Sequence, residues 1–245
     1  MLSIITPVLN GERFIEDNIR SIKKLSIPYE HIIVDGSSTD GTIKIVSKFN
    51  DVLLLKQKAN TGMYGAIAQG IEHSKGKVLC YINADDQIIV EGFERMYNTI
   101  VNEPIDLIYS DSLFNFTEHG RFVQRPAVPF GKLFLKSGIM PFVQPSSMYT
   151  RELYFKVGGF NFERFRICGD LDLFQKMAFN PNSRFKKLKV TSSIFLKHNE
   201  SLAVRNLSRH IEEHRLLKPG PLTCGVVKLF HYLVFTIQKH TNSII

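Results

Sequence analysis

Short apolar runs alternate with helix-like segments along the first half of the chain. The runs are rich in β-branched residues, and the intervening segments place apolar residues three or four positions apart. Repeated strand–helix–strand units predict an α/β fold with a mainly parallel central sheet and helices on both faces. The predicted strands are Leu2–Thr6, His31–Asp35, Val52–Lys56, Lys77–Asn83 and Asp106–Ser110, with helices around residues 15–22, 43–46, 67–71 and 91–101.

The second half of the chain has a less regular pattern. Ser112–Phe116 and Arg121–Gln124 predict a hairpin, and a proline-rich stretch follows it. We place a soft boundary near residue 200, between a main domain (1–200) and a C-terminal helical extension (201–245). The other predicted elements are helices at Arg151–Val157, Asp170–Phe179, Arg205–Leu217 and Thr223–Lys239, and short strands at Lys186–Val190 and Ser193–Lys197.

Composition and cysteine usage place the protein in a broad class. The chain has 245 residues, enough for one sizeable core, and 44% of them are hydrophobic. Its three cysteines are odd in number and lack metal-ligand spacing, which favours a reducing compartment. The first strand is predicted to begin at Leu2, so we expect no secretory leader and a cytoplasmic location.

The net charge of +8 comes entirely from the C-terminal quarter. Residues 1–183 contain 20 basic and 20 acidic residues, whereas 184–245 contain 11 and 3. No nucleic-acid-binding signature is present, so we expect no nucleic-acid partner and favour an anionic membrane surface. The apolar run Leu222–Ile237 is shorter than the roughly 20 residues of a membrane span. It could lie peripherally on the inner membrane beside Arg205, Arg209, Arg215 and Lys218, cover the protein's own core, or form a homodimer contact.

Carboxylates follow two of the predicted parallel strands. Asp35 ends one strand, and Asp85 and Asp86 follow another. Ligands bind beyond the carboxyl ends of strands in such sheets. Adjacent carboxylates repel, and a divalent cation with open positions for phosphate oxygens would neutralise them. Neither a G-x-G-x-x-G fingerprint nor a P-loop is present, so a nucleotide would have to bind in another arrangement.

Three ordered motifs resemble the inverting glycosyltransferases of family 2. They are Ser3–Asn10, Ile33–Thr42 and Asn83–Asp86. The resemblance covers about the first 200 residues and implies a GT-A (Rossmann-like) three-layer sandwich, which would make residues 1–200 the nucleotide-sugar-binding and catalytic domain. The segment Asn60–Ala66 is most similar to the branch that builds bacterial surface polysaccharides, of the colanic acid and amylovoran type.

The resemblance implies roles for individual residues on the donor side. The nucleoside pocket would be lined by Thr6, Pro7 and Val8, and Asp35 would accept a hydrogen bond from the base. Met63 or Tyr64 would touch the base, although plain packing is nearly as good an interpretation. The remaining roles are Asp85 toward the ribose or metal, Asp86 as the ligand of Mg²⁺ or Mn²⁺, and His198 as a metal ligand or, alternatively, a structural residue.

On the acceptor side, Asp170 matches the family's general base. It follows Gly158-Gly159-Phe160, but Gly169 stands where much of the family has Glu. The alternative is that Asp170 only caps the following helix, as Asp40 is expected to do near residue 42. Gln144 and Asp172 are candidate acceptor-site residues, although Asp172 could instead favour the helix N-terminus.

The implied activity is metal-dependent, inverting sugar transfer. The donor would be a nucleotide-diphosphate sugar, UDP-linked, and the acceptor a glycan or lipid-linked saccharide in surface polysaccharide biosynthesis. The chain has no tryptophan and lacks the Gln-x-x-Arg-Trp motif of processive relatives, which favours one sugar per encounter. Two alternatives remain open. A sugar-nucleotide nucleotidyltransferase would need a glycine-rich basic loop, of which Asn10–Arg13 is a poor version, and a non-catalytic subunit would bind the nucleotide sugar without transfer.

Overall fold

The computed structural model describes residues 1–58, 61–116, 121–197 and 206–217. Within these ranges the strands form one nine-stranded sheet with helices packed on both faces. The strands are β1 Leu2–Val8, β2 Tyr29–Asp35, β3 Val52–Lys56, β4 Val78–Tyr81, β5 Gln87–Ile88, β6 Leu107–Phe116, β7 Arg121–Arg125, β8 Ser147–Thr150 and β9 Phe185–Lys197. The helices are α1 Ile15–Ile22, α2 Thr42–Val46, α3 Gly62–His73, α4 Val90–Asn102, α5 Gly131–Lys136, α6 Arg151–Lys156, α7 Gly169–Phe179 and α8 Leu207–Leu216.

The sheet is mixed and mostly parallel, in the order β3-β2-β1-β4-β8-β6-β9-β5. Strands β1 to β4 run parallel, β8 is antiparallel to its neighbours β4 and β6, and β6 is parallel to β9. Strand β7 pairs with β6 as the predicted hairpin. The predicted α/β architecture is therefore confirmed, and the carboxyl ends of β1, β2 and β4 meet at one edge.

Alternating side chains along the strands separate two helical layers. Ile5 and Val34 contribute to the main core beneath α3 and α7, whereas Ile4 and Cys80 face the opposite side, beneath α4. This alternation is the period-two pattern of strands that are buried on both faces. Leu217, which follows α8, also packs into the main core.

The structure changes several predicted boundaries. The predicted strands Asp106–Ser110 and Ser112–Phe116 are one continuous strand, β6. Strand β4 ends at Tyr81, two residues earlier than predicted. The two short strands predicted between 186 and 197 are one continuous strand, β9, which accommodates an irregularity opposite Ser110 and Asp111. The basic helix begins at Leu207, and the predicted helix Thr223–Lys239 lies outside the described residues. The boundary near residue 200 stays a prediction.

No helix among the described residues has the length and apolar character needed to cross a membrane.

Candidate active site

The acidic turn after β4 is anchored by a buried asparagine on α1. The Asn18 side-chain amide donates to the carbonyl oxygens of Asn83 (2.9 Å) and Asp86 (2.8 Å). Two main-chain acceptors of the turn are thereby satisfied inside the protein, which fixes its position relative to α1. Sequence reasoning missed Asn18. The available signal was a polar residue on the apolar face of a helix that also carries Ile15, Ile19 and Ile22.

The Asp86 carboxyl is almost completely buried beside a second acidic residue. Asp86 is 1% exposed, and its carboxyl accepts from Leu196 N–H (3.1 Å) and the Asn83 amide (3.3 Å). Burial, together with the charge of Asp85, raises the pKa of Asp86 well above its ordinary value. A cation bound here would stabilise the ionised form.

The donor atoms around Asp86 fit a hard divalent ion. Besides the two carboxylates, the buried Asn83 Oδ1 has no hydrogen-bond partner among the described residues. Carboxylate and amide oxygens are the ligands that Mg²⁺ and Mn²⁺ prefer. The part of the chain that the structure describes contains no group of three or more His, Cys, Asp or Glu side chains suited to a metal. Phosphate oxygens of a donor would be suitable further ligands for an ion held at Asp86. The candidate ligand His198 lies outside the described residues.

Asp35 ends β2 directly beside the end of β1. It pairs in register with Val8, and its carboxylate accepts from the N–H groups of Ser37 (2.9 Å) and Ser38 (3.1 Å). Ser37 has a left-handed backbone conformation, with φ of 73°. Asp35 therefore holds the loop that leads to α2, and its oxygens retain further acceptor capacity. Asp40 accepts from Thr42 N–H (3.0 Å) near the start of α2, but the N-cap residue of that helix is Gly41.

Thr6 lies deeper than the resemblance implied. The residue has no exposed surface, and its hydroxyl lies 2.9 Å from His31 Nε2 and 3.5 Å from Asn18 Oδ1. Its side chain faces the interior and supports Asn18, because the inward-facing residues of β1 pack against α1. Pro7 and Val8 are also buried, near the end of the strand.

Asp170 lies in the first turn of α7 and contacts a tyrosine from α3. The Tyr64 hydroxyl is 3.1 Å from Asp170 Oδ1 and 3.0 Å from the Ile167 carbonyl oxygen. Leu171 N–H donates to the same carboxylate oxygen (2.8 Å). The N-cap residue is Cys168, so Asp170 is a residue of the helix itself. Burial raises the pKa of Asp170, although these hydrogen bonds oppose the shift.

Tyr64 also explains why residue 169 is glycine. A Cβ atom on Gly169 would lie 2.5 Å from Tyr64 Cδ2, closer than side chains approach one another. The tyrosine ring fills the space that the family's glutamate would enter. Tyr64 is 3% exposed, so it supports Asp170 from the core, whereas the resemblance placed it against the base. Met63 is partly buried and packs against the main core, in line with the packing alternative.

Tyr81 connects the acidic turn with Asp170. Burial raises the pKa of its hydroxyl well above the ordinary value, and the negative charges of Asp170 and Asp86 act in the same direction. Both carboxylates therefore act electrostatically on one buried hydroxyl. The Gln144 amide donates to the Tyr81 carbonyl oxygen (2.8 Å), while Gln144 Oε1 is buried and has no hydrogen-bond partner within the part of the chain that the structure describes. Gln144 thus supports the end of β4.

Asp172 points into an ion pair on its own helix. Its carboxylate lies 2.9 Å from Lys176 Nζ, and the lysine also donates to the Gly159 carbonyl oxygen (2.6 Å). This contact links α7 to the Gly158-Gly159 turn. The structure places Tyr64 against Asp170, whereas Asp172 pairs with Lys176 on the same helix.

Comparison with known proteins identifies the family. The profile described as glycosyl transferase family 2 matches residues 3–171, a range that includes Asp35, the acidic turn and Asp170. The chain belongs to this family. It is a glycosyltransferase, an enzyme that transfers a sugar from a nucleotide sugar.

Named relatives share both sequence and fold with the chain. A "PGL/p-HBAD biosynthesis glycosyltransferase" of Mycobacterium bovis is 28% identical over 232 residues, covering 91% of this chain and 85% of the relative. The crystal structure of S. aureus TarS 1-349 aligns with a TM-score of 0.67 at 20% identity, over 88% of this chain and 64% of TarS. TarS has also been solved with UDP and with UDP-GlcNAc.

A second solved structure carries a metal ion. The mannosyltransferase PcManGT from Pyrobaculum calidifontis, in complex with GDP-Man and Mn²⁺, aligns with a TM-score of 0.65 at 18% identity. It matches 87% of this chain, which spans 62% of PcManGT. At such identities the two solved structures establish the GT-A-type fold. The colanic acid and amylovoran branch does not appear among the relatives named here.

Proposed function

We propose that the protein is an inverting, metal-dependent, non-processive glycosyltransferase. It transfers one sugar from a UDP-sugar to a glycan or lipid-linked saccharide in surface polysaccharide biosynthesis. The observation that carries this proposal is the pair of carboxyl sites on separate elements: the buried Asp86 lies in the turn after β4, and Asp170 lies in the first turn of α7. One carboxyl group is available to the acceptor and the other to the leaving group.

Asp170 serves as the general base. In its ionised form it accepts the proton of the acceptor hydroxyl as that oxygen attacks the anomeric carbon. The new C–O bond forms while the bond from the anomeric carbon to the diphosphate oxygen breaks on the opposite face, and the diphosphate leaves with the electron pair. Burial raises the pKa of Asp170, which makes it a stronger base, and the Tyr64 hydroxyl fixes its orientation.

Asp86 and Asp85 would hold the divalent cation on the donor side. When bound, such an ion stabilises negative charge on the departing diphosphate. The chain's own contribution is a rigid turn, because Leu196 N–H orients the Asp86 carboxyl and Asn18 holds the main chain. Asp35, Pro7 and Val8 lie at the adjoining strand ends, where the nucleoside would bind.

The relatives support the choice of donor and acceptor class. TarS was solved with UDP and with UDP-GlcNAc, which favours a uridine donor. PcManGT was solved with GDP-Man, so guanosine is the alternative nucleoside. The mycobacterial relative is named for PGL/p-HBAD biosynthesis. Arg215, in the last turn of α8, favours contact with an anionic membrane surface on the cytoplasmic side.

The test is a transfer assay on the intact protein with a panel of UDP-, GDP- and dTDP-sugars and saccharide acceptors. Reactions would be run with Mn²⁺, with Mg²⁺ and with a chelator, and the product's anomeric configuration would be read by NMR. We expect chelator-sensitive transfer of a single sugar from a UDP-sugar, with inversion. Retention of configuration would contradict the proposed mechanism, and metal-dependent UDP binding without transfer would favour a non-catalytic subunit.

A further inference from the structure

The loop that precedes the Asp170 helix is held by a buried glutamate from α8. Glu213 is 4% exposed, and its carboxylate accepts from three consecutive main-chain N–H groups. The distances are 2.9 Å to Arg166, 2.8 Å to Ile167 and 2.9 Å to Cys168. Consecutive N–H groups that converge on one carboxylate form an anion-binding concavity, which here is filled by the protein itself.

Glu213 is kept ionised by its surroundings. Burial alone would raise its pKa, but the N–H groups of Cys168, Arg166 and Ile167 and the guanidinium of Arg209 lower it below the ordinary value. Arg209 Nε lies 2.7 Å from Glu213 Oε1, one helical turn away on α8. Both carboxylate oxygens are therefore engaged, and hydrogen bonds to a charged acceptor are the stronger kind.

These contacts act on the residues immediately before Asp170. Cys168 is the N-cap of α7, and Asp170 follows two positions later. Both peptide groups that flank Ile167 are held, because the Ile167 N–H donates to Glu213 and the Ile167 carbonyl oxygen lies 3.0 Å from the Tyr64 hydroxyl. The same hydroxyl contacts Asp170. Displacement of this loop would therefore move the carboxyl group of Asp170.

We propose that Glu213 is a positioning residue for Asp170. Through this residue, α8 supports the acceptor side of the active site. The inference rests on the proposed role of Asp170 as general base. Glu213 does not touch the reacting atoms. It fixes the N–H groups of the three residues immediately before α7. Loss of its charge would let the start of α7 shift and would admit water around Asp170.

The test compares Glu213→Gln with Glu212→Gln, an exposed neighbour on the same helix. We expect kcat to fall roughly 10- to 100-fold in Glu213→Gln, with the donor KM within about twofold of wild type, because misplacement of about 1 Å costs this much. Protection of the 166–168 amides against hydrogen exchange should fall as well. Glu212→Gln should match the wild type in all three measurements.

The pH profile separates positioning from general stability. The titratable groups around the Asp170 carboxyl are Tyr64, Tyr81, Cys168 and His210. Burial is the main cause of the raised Asp170 pKa, so added hydration in Glu213→Gln should move the acid limb of kcat to lower pH. A merely structural role would lower the melting temperature while leaving kcat per folded molecule and the acid limb unchanged, and that result would overturn the proposal.

Two further variants keep the test decisive. Arg209→Gln removes the ion pair but leaves the Glu213 carboxylate bonded to the three main-chain amides. It should therefore lower kcat by only about two- to threefold. If Glu213→Gln fails to fold, normal kcat and normal exchange in Arg209→Gln would overturn the proposal. Asp170→Asn reports separately on the base: an active Asp170→Asn refutes the proposed function, whereas an inactive Asp170→Asn with a normal Glu213→Gln refutes only the positioning role.

Discussion

The acidic turn and the Asp170 loop are both carboxylate sites, but they are held in different ways. The turn follows a central parallel strand and is fixed by α1, through two bonds from Asn18 to main-chain oxygens. The Asp170 loop is held by side chains from distant parts of the chain, namely Tyr64 in α3 and Glu213 in α8. The acidic turn is thus tied to the sheet, whereas the Asp170 loop is held by two separate helices.

This difference has consequences for both sites. The turn depends on strand register, on the buried Asn18 amide and on Leu196 N–H from β9, which orients the Asp86 carboxyl. The Asp170 loop depends on side chains from two separate helices, Tyr64 of α3 and Glu213 of α8, each of which a substitution can remove. Substitutions on the two sides should therefore produce different kinetic effects.

The largest effect is expected from Asp170→Asn. This change keeps the side chain's size but removes the group that accepts the proton, and a general base contributes roughly 10²- to 10⁴-fold. Transfer should fall about 10³-fold, with donor affinity retained, in a steady-state assay. Glu163→Gln, on the exposed surface of the preceding loop, is the control. Turnover within tenfold of wild type would exclude Asp170 as the base.

Asp86→Asn should act on the metal. We expect the Mn²⁺ concentration for half-maximal activity to rise roughly 100-fold, because the buried carboxylate supplies the charge that binds the cation. The measurement is an activity titration with Mn²⁺. Asp51→Asn, which lies before β3 at the opposite edge of the sheet, should leave the Mn²⁺ dependence unchanged. An unchanged Mn²⁺ titration curve for Asp86→Asn would show that the metal does not bind at this turn.

Asn18→Ala tests the anchor of the turn. It leaves two buried carbonyl oxygens without their donor and should lower the free energy of unfolding by about 2 kcal/mol. Because the turn loosens, the requirement for Mn²⁺ should also rise severalfold, which denaturant unfolding and metal titration would measure together. Asn102→Ala, an exposed helical asparagine, is the control. Lost stability with normal metal dependence would show that Asn18 does not position the turn.

The smallest effect is expected from Tyr64→Phe. The hydroxyl favours the ionised form of Asp170, so its removal should raise the pKa of Asp170 further. The acid limb of the kcat profile should move to higher pH, with kcat reduced roughly three- to tenfold at neutral pH. Tyr149→Phe, which removes a buried hydroxyl without a hydrogen-bond partner among the described residues, should leave the limb unmoved. An acid limb displaced to lower pH in Tyr64→Phe would contradict this account.

The same comparison explains what the sequence could predict. Apolar periodicity located β1 to β4 and the helices between them, and Asp35, Asp85 and Asp86 stood out because they follow strands. The contacts of Tyr64 and Glu213 could not be predicted, since they depend on how α3, α7 and α8 pack. Gly169 carried a usable signal, because a missing side chain implies that another group fills its space. The continuous strand β9 was misread because its irregularity resembles a break between strands.

The central claim is that the two carboxylate sites serve separate halves of the reaction. Isothermal titration of UDP, with and without Mn²⁺, into the wild type, Asp170→Asn and Asp86→Asn tests it most directly. We predict that Asp170→Asn binds UDP with Mn²⁺ within about twofold of wild type, whereas Asp86→Asn loses the gain in affinity that Mn²⁺ confers. Loss of UDP binding in Asp170→Asn, or an intact Mn²⁺ effect in Asp86→Asn, would contradict the division of roles.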